Sequence, residues 1–148
     1  MNLEKGKRVF NTICIKWHGS NSQGVKVSGS FIYQYPPLWG NDSYNNGAGM
    51  TRVITAAQII KVNMPFGTTF EAPVLSDEEA YDVAGYINQQ KRPEKVNRAQ
   101  DFPDLNRKPV STPYPPYVDL FSIDQHQLGP FQPIMEFYKQ ECNMIKTK

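Results

Sequence analysis

The chain has 148 residues, of which 39% are hydrophobic, 20% charged and 12% aromatic, and its formal net charge is +2. That length builds one core without disulfide or metal staples, and its lysines and arginines are scattered, with no basic block interleaved with aromatic residues, which excludes nucleic-acid binding. The longest apolar runs, such as "VITAAQII", are broken by polar residues and fall well short of the ~20 residues of a bilayer span.

The opening "MNLEKGKRVF" reads as a helix of the folded domain, not as a basic and then apolar export leader. Leu3, Gly6, Phe10 and Ile13 recur at spacings of three and four, which predicts a helix over 3–14. Gly6 costs that helix roughly 1 kcal/mol against Ala, a cost expected where a second helix crosses closely. Next comes "TICIKWHGS", in which Cys14 and His18 hold the register of the haem-attachment motif C-x-x-C-H, with Trp17 where the second thiol would stand. From 19 to 49 six glycines and Pro36-Pro37 predict irregular loops. Their large side chains, Tyr35, Leu38, Trp39 and Tyr44, are expected to pack against something flat and apolar.

"TRVITAAQIIKVN" predicts a helix over 51–63 with Val53, Ala56, Ala57 and Ile60 on its buried face, stopping before Pro65. "SDEEAYDVAGYINQQ" predicts another over 76–90, with a Ser76–Glu79 capping box, three acidic residues in the first turn, and Ala80, Val83, Ala84 and Ile87 on the apolar face. Pro93 ends it. No internal repeat or β-strand pattern is present. Residues 101–134 carry seven of the 12 prolines and many aromatics, too apolar for a disordered tail and too proline-rich for regular structure. The expected division is a domain over 1–95 and an extension over 96–148 packed on its surface, ending in a short helix within "MEFYKQECNMIKTK". The two cysteines, Cys14 and Cys142, lie near opposite ends and make no disulfide framework.

A haem c site needs a thiol near a vinyl group, a neutral imidazole four residues on, and commonly a sixth iron ligand from the other side of the ring. Cys14 and His18 supply the first two. Met50, Met64, Met135, Met144 and His126 are the candidates for the third. Met64 is best placed, after a helix and ahead of Pro65, which fixes the backbone and removes a competing donor. Each item has an ordinary alternative: Cys14 as a buried thiol, Met64 as core.

The order of these pieces resembles class I cytochrome c. The longer stretches "YPPLWGNDSYNNGAGMTRVITAAQIIKVNMPFG", "LSDEEAYDVAGYINQQKRP" and "DFPDLNRKPV" with its continuation to "QHQLGPFQPI" resemble the second haem domain of bacterial thiosulfate dehydrogenases, over nearly the whole chain. The resemblance implies an all-α class I cytochrome c fold of three to four helices around one haem c, with a long proline-rich extension. It implies His18 as proximal ligand, Cys14 as thioether, Met64 as distal ligand, and the terminal helices crossing near Gly6 and Phe10. It also implies a periplasmic location. Trp17 departs from the pattern, so one thioether is expected, with the indole at the ring edge. A haem with both axial positions filled leaves no place for substrate, so the expected function is outer-sphere electron transfer with a transient redox protein partner. Two alternatives stand beside it: a part of a thiosulfate dehydrogenase that needs a second haem domain, and a haem-free interaction module.

Overall fold

Gly6 decides how the first helix lies. In the computed structural model, which describes all residues 1–148, helix α1 (Leu3–Val9) is capped by Asn2, whose side chain accepts from the Lys5 N–H at 3.0 Å. It crosses α4 (Asp77–Asn88) so closely that a Cβ on Gly6 would overlap the Asp82 carbonyl. The Asn2 N–H donates to Asp82 Oδ1 at 2.6 Å and Lys5 pairs with Glu78 at 2.6 Å, fixing the crossing at its outer end. At its inner end Phe10 is 1% exposed, with its ring centroid 5.0 Å from that of Trp39 and 5.6 Å from that of Tyr86.

The predicted helix over 3–14 is not continuous. Phe10–Cys14 forms a single wide π turn, closed by the Ile15 N–H on the Phe10 carbonyl, before α2 (Ile15–His18) resumes and Gly19 ends it. Phe10 and Cys14 stand four apart and would share one face of a regular helix. The inserted residue rotates the next helical turn by about 100°. Phe10 therefore points into the helix crossing while Cys14 and His18 face an apolar cavity on the other side.

The loop region holds a hairpin that the sequence pattern does not announce: β1 (Val25–Lys26) pairs antiparallel with β2 (Tyr33–Tyr35). Strands of two and three residues are too short to display an alternating pattern. Gly24 has φ +76°, and a Cβ there would stand 2.6 Å from the Tyr35 carbonyl oxygen. Its N–H bonds the His18 carbonyl at 2.9 Å, and the Leu38 N–H bonds the Ser22 carbonyl at 3.0 Å. These bonds clamp Pro36-Pro37 against the end of α2.

A 3₁₀ turn (Gly49–Thr51) leads into α3 (Val53–Asn63), which buries Val53, Ala56, Ala57 and Ile60 as its spacing predicts. The chain turns extended at Met64, whose N–H still bonds the Ile60 carbonyl at 3.0 Å. Helix α4 has the expected capping box: Ser76 Oγ accepts from the Glu79 N–H at 3.2 Å, and Glu79 Oε2 accepts from the Ser76 N–H at 2.9 Å.

After two 3₁₀ turns (Arg98–Gln100 and Leu105–Arg107) come α5 (Ile123–Leu128), unpredicted and short, and α6 (Gln132–Glu141), the expected terminal helix. Val110, Phe131, Ile134 and Tyr138 join Phe10, Val53, Val83 and Ile87 in one apolar cluster. A separate polar centre lies inside the extension. His126, 1% exposed, places Nε2 2.8 Å from Asp119 Oδ1 and Nδ1 2.7 Å from the Val110 carbonyl, with the Tyr117 ring stacked on it. Lys108 donates to the carbonyls of Tyr114 and Pro116 beneath the rings of Phe102, Tyr114 and Tyr117. No helix is long and apolar enough to cross a membrane.

Candidate functional site: an apolar cavity with one open imidazole nitrogen

The end of α2, the Tyr35–Leu38 turn, α3 and the Met64–Phe66 segment enclose a cavity of about 420 Å³, within the ~300–1,000 Å³ usual for cofactor and small-molecule sites. None of its lining residues carries a formal charge. Cys14, Trp17, His18 and Met64 all line it. Of the other sixth-ligand candidates, Met50 also lines it, whereas Met135, Met144 and His126 do not. His126 has both ring nitrogens engaged in the extension. Tyr35, Leu38 and Tyr44 line the cavity as the loop composition suggests, but Trp39 packs on Phe10 and Tyr86 instead.

His18 sits on the last turn of α2 and is 7% exposed. Its Nδ1 lies 2.8 Å from the Pro36 carbonyl oxygen. A carbonyl only accepts, so Nδ1 carries the hydrogen and Nε2 is left as a lone pair with no protein partner. Burial lowers the imidazole pKa, against the smaller opposing effect of the Pro36 bond. Both features favour the neutral tautomer that ligates a metal through Nε2, with an outer partner fixing the ring.

Cys14 is free and half-buried, and burial pushes its thiol up to about 11. At neutral pH it is therefore a protonated thiol and not a thiolate ligand. Trp17 lies edge-on to Tyr35, centroids 5.1 Å apart, and 5.9 Å from Phe66.

No group of three or more His, Cys, Asp or Glu side chains is placed to hold a metal ion. One imidazole and a thioether sulfur hold a bare ion poorly. They would suffice to hold a metal that an organic ring already ligates. The cavity's size, its apolar lining and the open Nε2 fit such a group.

Sequence reasoning missed two contributors. The Pro36 carbonyl orients His18, and a backbone acceptor has no residue-type signature. Phe66 leans on Trp17 from a position that reads only as loop; an aromatic directly after Met64-Pro65 was the available signal.

Helices packed around an uncharged cavity with one oriented imidazole and a thiol four residues before it define a haem-binding domain of the c type. The chain belongs to the cytochrome c family, which matches residues 3–91, and haem c is the cofactor that family membership implies. Among known proteins it is similar to the thiosulfate dehydrogenase of Stutzerimonas stutzeri, 44% identical over 93 residues that make up 63% of this chain and 29% of that protein. A second relative, the thiosulfate dehydrogenase of Psychrobacter arcticus, is 41% identical over 103 residues, 70% of this chain and 30% of that one. Among solved structures, the thiosulfate dehydrogenase TsdBA of Marichromatium purpuratum in its as-isolated form matches with TM-score 0.58 at 40% identity, covering 66% of this chain and 20% of that chain. The chain thus spans less than a third of the length of these relatives.

Proposed function

We propose that this chain carries one haem c, bonded through a single thioether to Cys14, with His18 as proximal and Met64 as distal ligand, and that it passes electrons to and from a protein partner in the periplasm. The observation that carries the reading is His18: its Nδ1 is tied to the Pro36 carbonyl at 2.8 Å while Nε2 stands open in a cavity shared with Cys14 and Met64. Bound there, haem supplies a reversible one-electron couple at iron, and a His/Met pair raises its potential relative to two histidines.

The chain's own residues do the rest. Pro36 holds the imidazole in one tautomer, so no ligand proton need move during transfer. Ile59, Ile60, Leu75 and Ile87 keep water from the cavity. Met64 lies where the end of α3 and the following prolyl peptide constrain its backbone. With His18 and Met64 both holding the iron, no ligand position would be left for a substrate. A periplasmic location is supported by the family and by where haem c is attached.

A second reading is favoured by the relatives: the chain acts as one haem domain of a thiosulfate dehydrogenase and needs a second haem domain or subunit to interconvert thiosulfate and tetrathionate. Intact-mass analysis of protein from a host competent in cytochrome maturation tests the attachment. A mass increased by one haem, lost in Cys14→Ser, supports the proposal; an unmodified mass in the native chain overturns it. Reduction of an electron acceptor by thiosulfate, with the chain alone and then with a second haem domain, separates carrier from enzyme subunit.

A further inference from the structure

We infer that Trp17, Tyr35 and Phe66 form an aromatic clasp that closes the cavity where the motif would place the second thiol and ties the wall that carries His18 to the wall that carries Met64. The inference rests on the proposed binding of haem. Trp17 stands one residue before His18, where the motif would place the second thiol, so its side chain occupies the edge of the cavity that a second covalent bond would tether. It touches one ring from each flanking wall. Tyr35, 5.1 Å away and edge-on, immediately precedes Pro36, the acceptor that orients His18. Phe66, 5.9 Å away, follows Met64 by two residues. All three rings line the cavity.

Phe66 is 79% exposed, so the folded core gains little from it. Trp17 is the one aromatic ring paired with it. An apolar ring left largely in water beside the cavity entrance is accounted for by what it closes.

The test uses haem-loaded protein and the rate at which added imidazole displaces the distal ligand of the ferric form, which reads how often the two walls part. Phe66→Ala is expected to raise that rate about tenfold, the size of one aromatic pair. Being largely exposed, Phe66 can be removed without unfolding the chain. Trp17→Cys is expected to show the pyridine haemochrome band of a doubly linked haem, which places position 17 at the vinyl edge. In that background the added Phe66→Ala should change imidazole entry by less than about twofold, because the ring that Phe66 pairs with is already gone. An unchanged rate in Phe66→Ala, or an equal acceleration in both backgrounds, overturns the clasp while leaving the binding of haem intact. A native protein that holds no haem overturns both.

Discussion

Replacing Gly6 by Ala sets two effects of opposite sign against each other. Helix propensity alone favours Ala by roughly 1 kcal/mol. The crossing with α4 opposes it: an ideal Cβ at Gly6 would overlap the Asp82 carbonyl oxygen, lie 2.5 Å from its carbon and 3.0 Å from the Val83 nitrogen, where non-bonded atoms sit at about 3.5–4.0 Å. These are backbone atoms in the middle of a helix and cannot swing aside, so α1 must move off α4 as a unit. Overpacking of this kind costs about 1–3 kcal/mol. The same movement strains the 2.6 Å bond from the Asn2 N–H to Asp82, worth about 1 kcal/mol more. The balance is a loss of about 1–3 kcal/mol, which for a domain of this size lowers Tm by roughly 4–8 °C at the midpoint of that range. Thermal unfolding of haem-loaded Gly6→Ala, followed by far-ultraviolet circular dichroism, measures it. An unchanged or higher Tm refutes the close crossing.

Met64→Ala should abolish the sulfur-to-iron charge-transfer band of the ferric protein and lower its reduction potential, whereas Met50→Ala should keep the band; the reverse assigns the distal position to Met50. Ser76→Ala should cost about 1 kcal/mol and so about 2–4 °C in Tm, because both bonds of the capping box pass through that residue. His126→Ala takes the imidazole from buried Asp119, leaving its Oδ1 only the Phe121 N–H, and should cost about 1–3 kcal/mol; limited proteolysis cutting first between residues 100 and 148 would show where the loss falls. Burial pushes the Lys108 and Lys146 ammonium groups down from 10.5 to about 8. Between about pH 8 and 10 the unfolded chain therefore binds more protons than the folded one, and stability rises with pH. Above that, Tyr81, Tyr114, Tyr117 and Tyr138, all raised chiefly by burial, reverse the slope. A urea midpoint that rises from pH 8 to pH 9.5, less so in Lys146→Met, bears this out; one that falls over that range contradicts it.

What could be read from the sequence was local chemistry. The capping box at Ser76 and Glu79 needs only residues three apart, and the buried stripe of α3 only its own periodicity. Gly6 was legible because a helix tolerates glycine at a cost that a close neighbour explains. Cys14, His18 and Met64 were legible as residue types at telling positions, and all three face one cavity. The π turn was not, because Phe10–Cys14 reads like any helix and the register changes only when Phe10 is drawn into the α1–α4 crossing. The hairpin at Val25 and Tyr35 depends on backbone pairing across a loop. Trp39 was expected at the ligand with its loop neighbours, but Phe10 and Tyr86 offered it an aromatic niche in the core. In the extension, Phe131, Ile134 and Tyr138 recur at helical spacing and share the core side of α6. The surrounding prolines hid that pattern.

The alkaline pyridine haemochrome spectrum tests the single-thioether haem most directly. Protein purified from a host competent in cytochrome maturation should show an absorption band between those of unattached and doubly attached haem, at one haem per chain, marking a single thioether at Cys14. A colourless protein, or a band at the position of unattached haem, would contradict it.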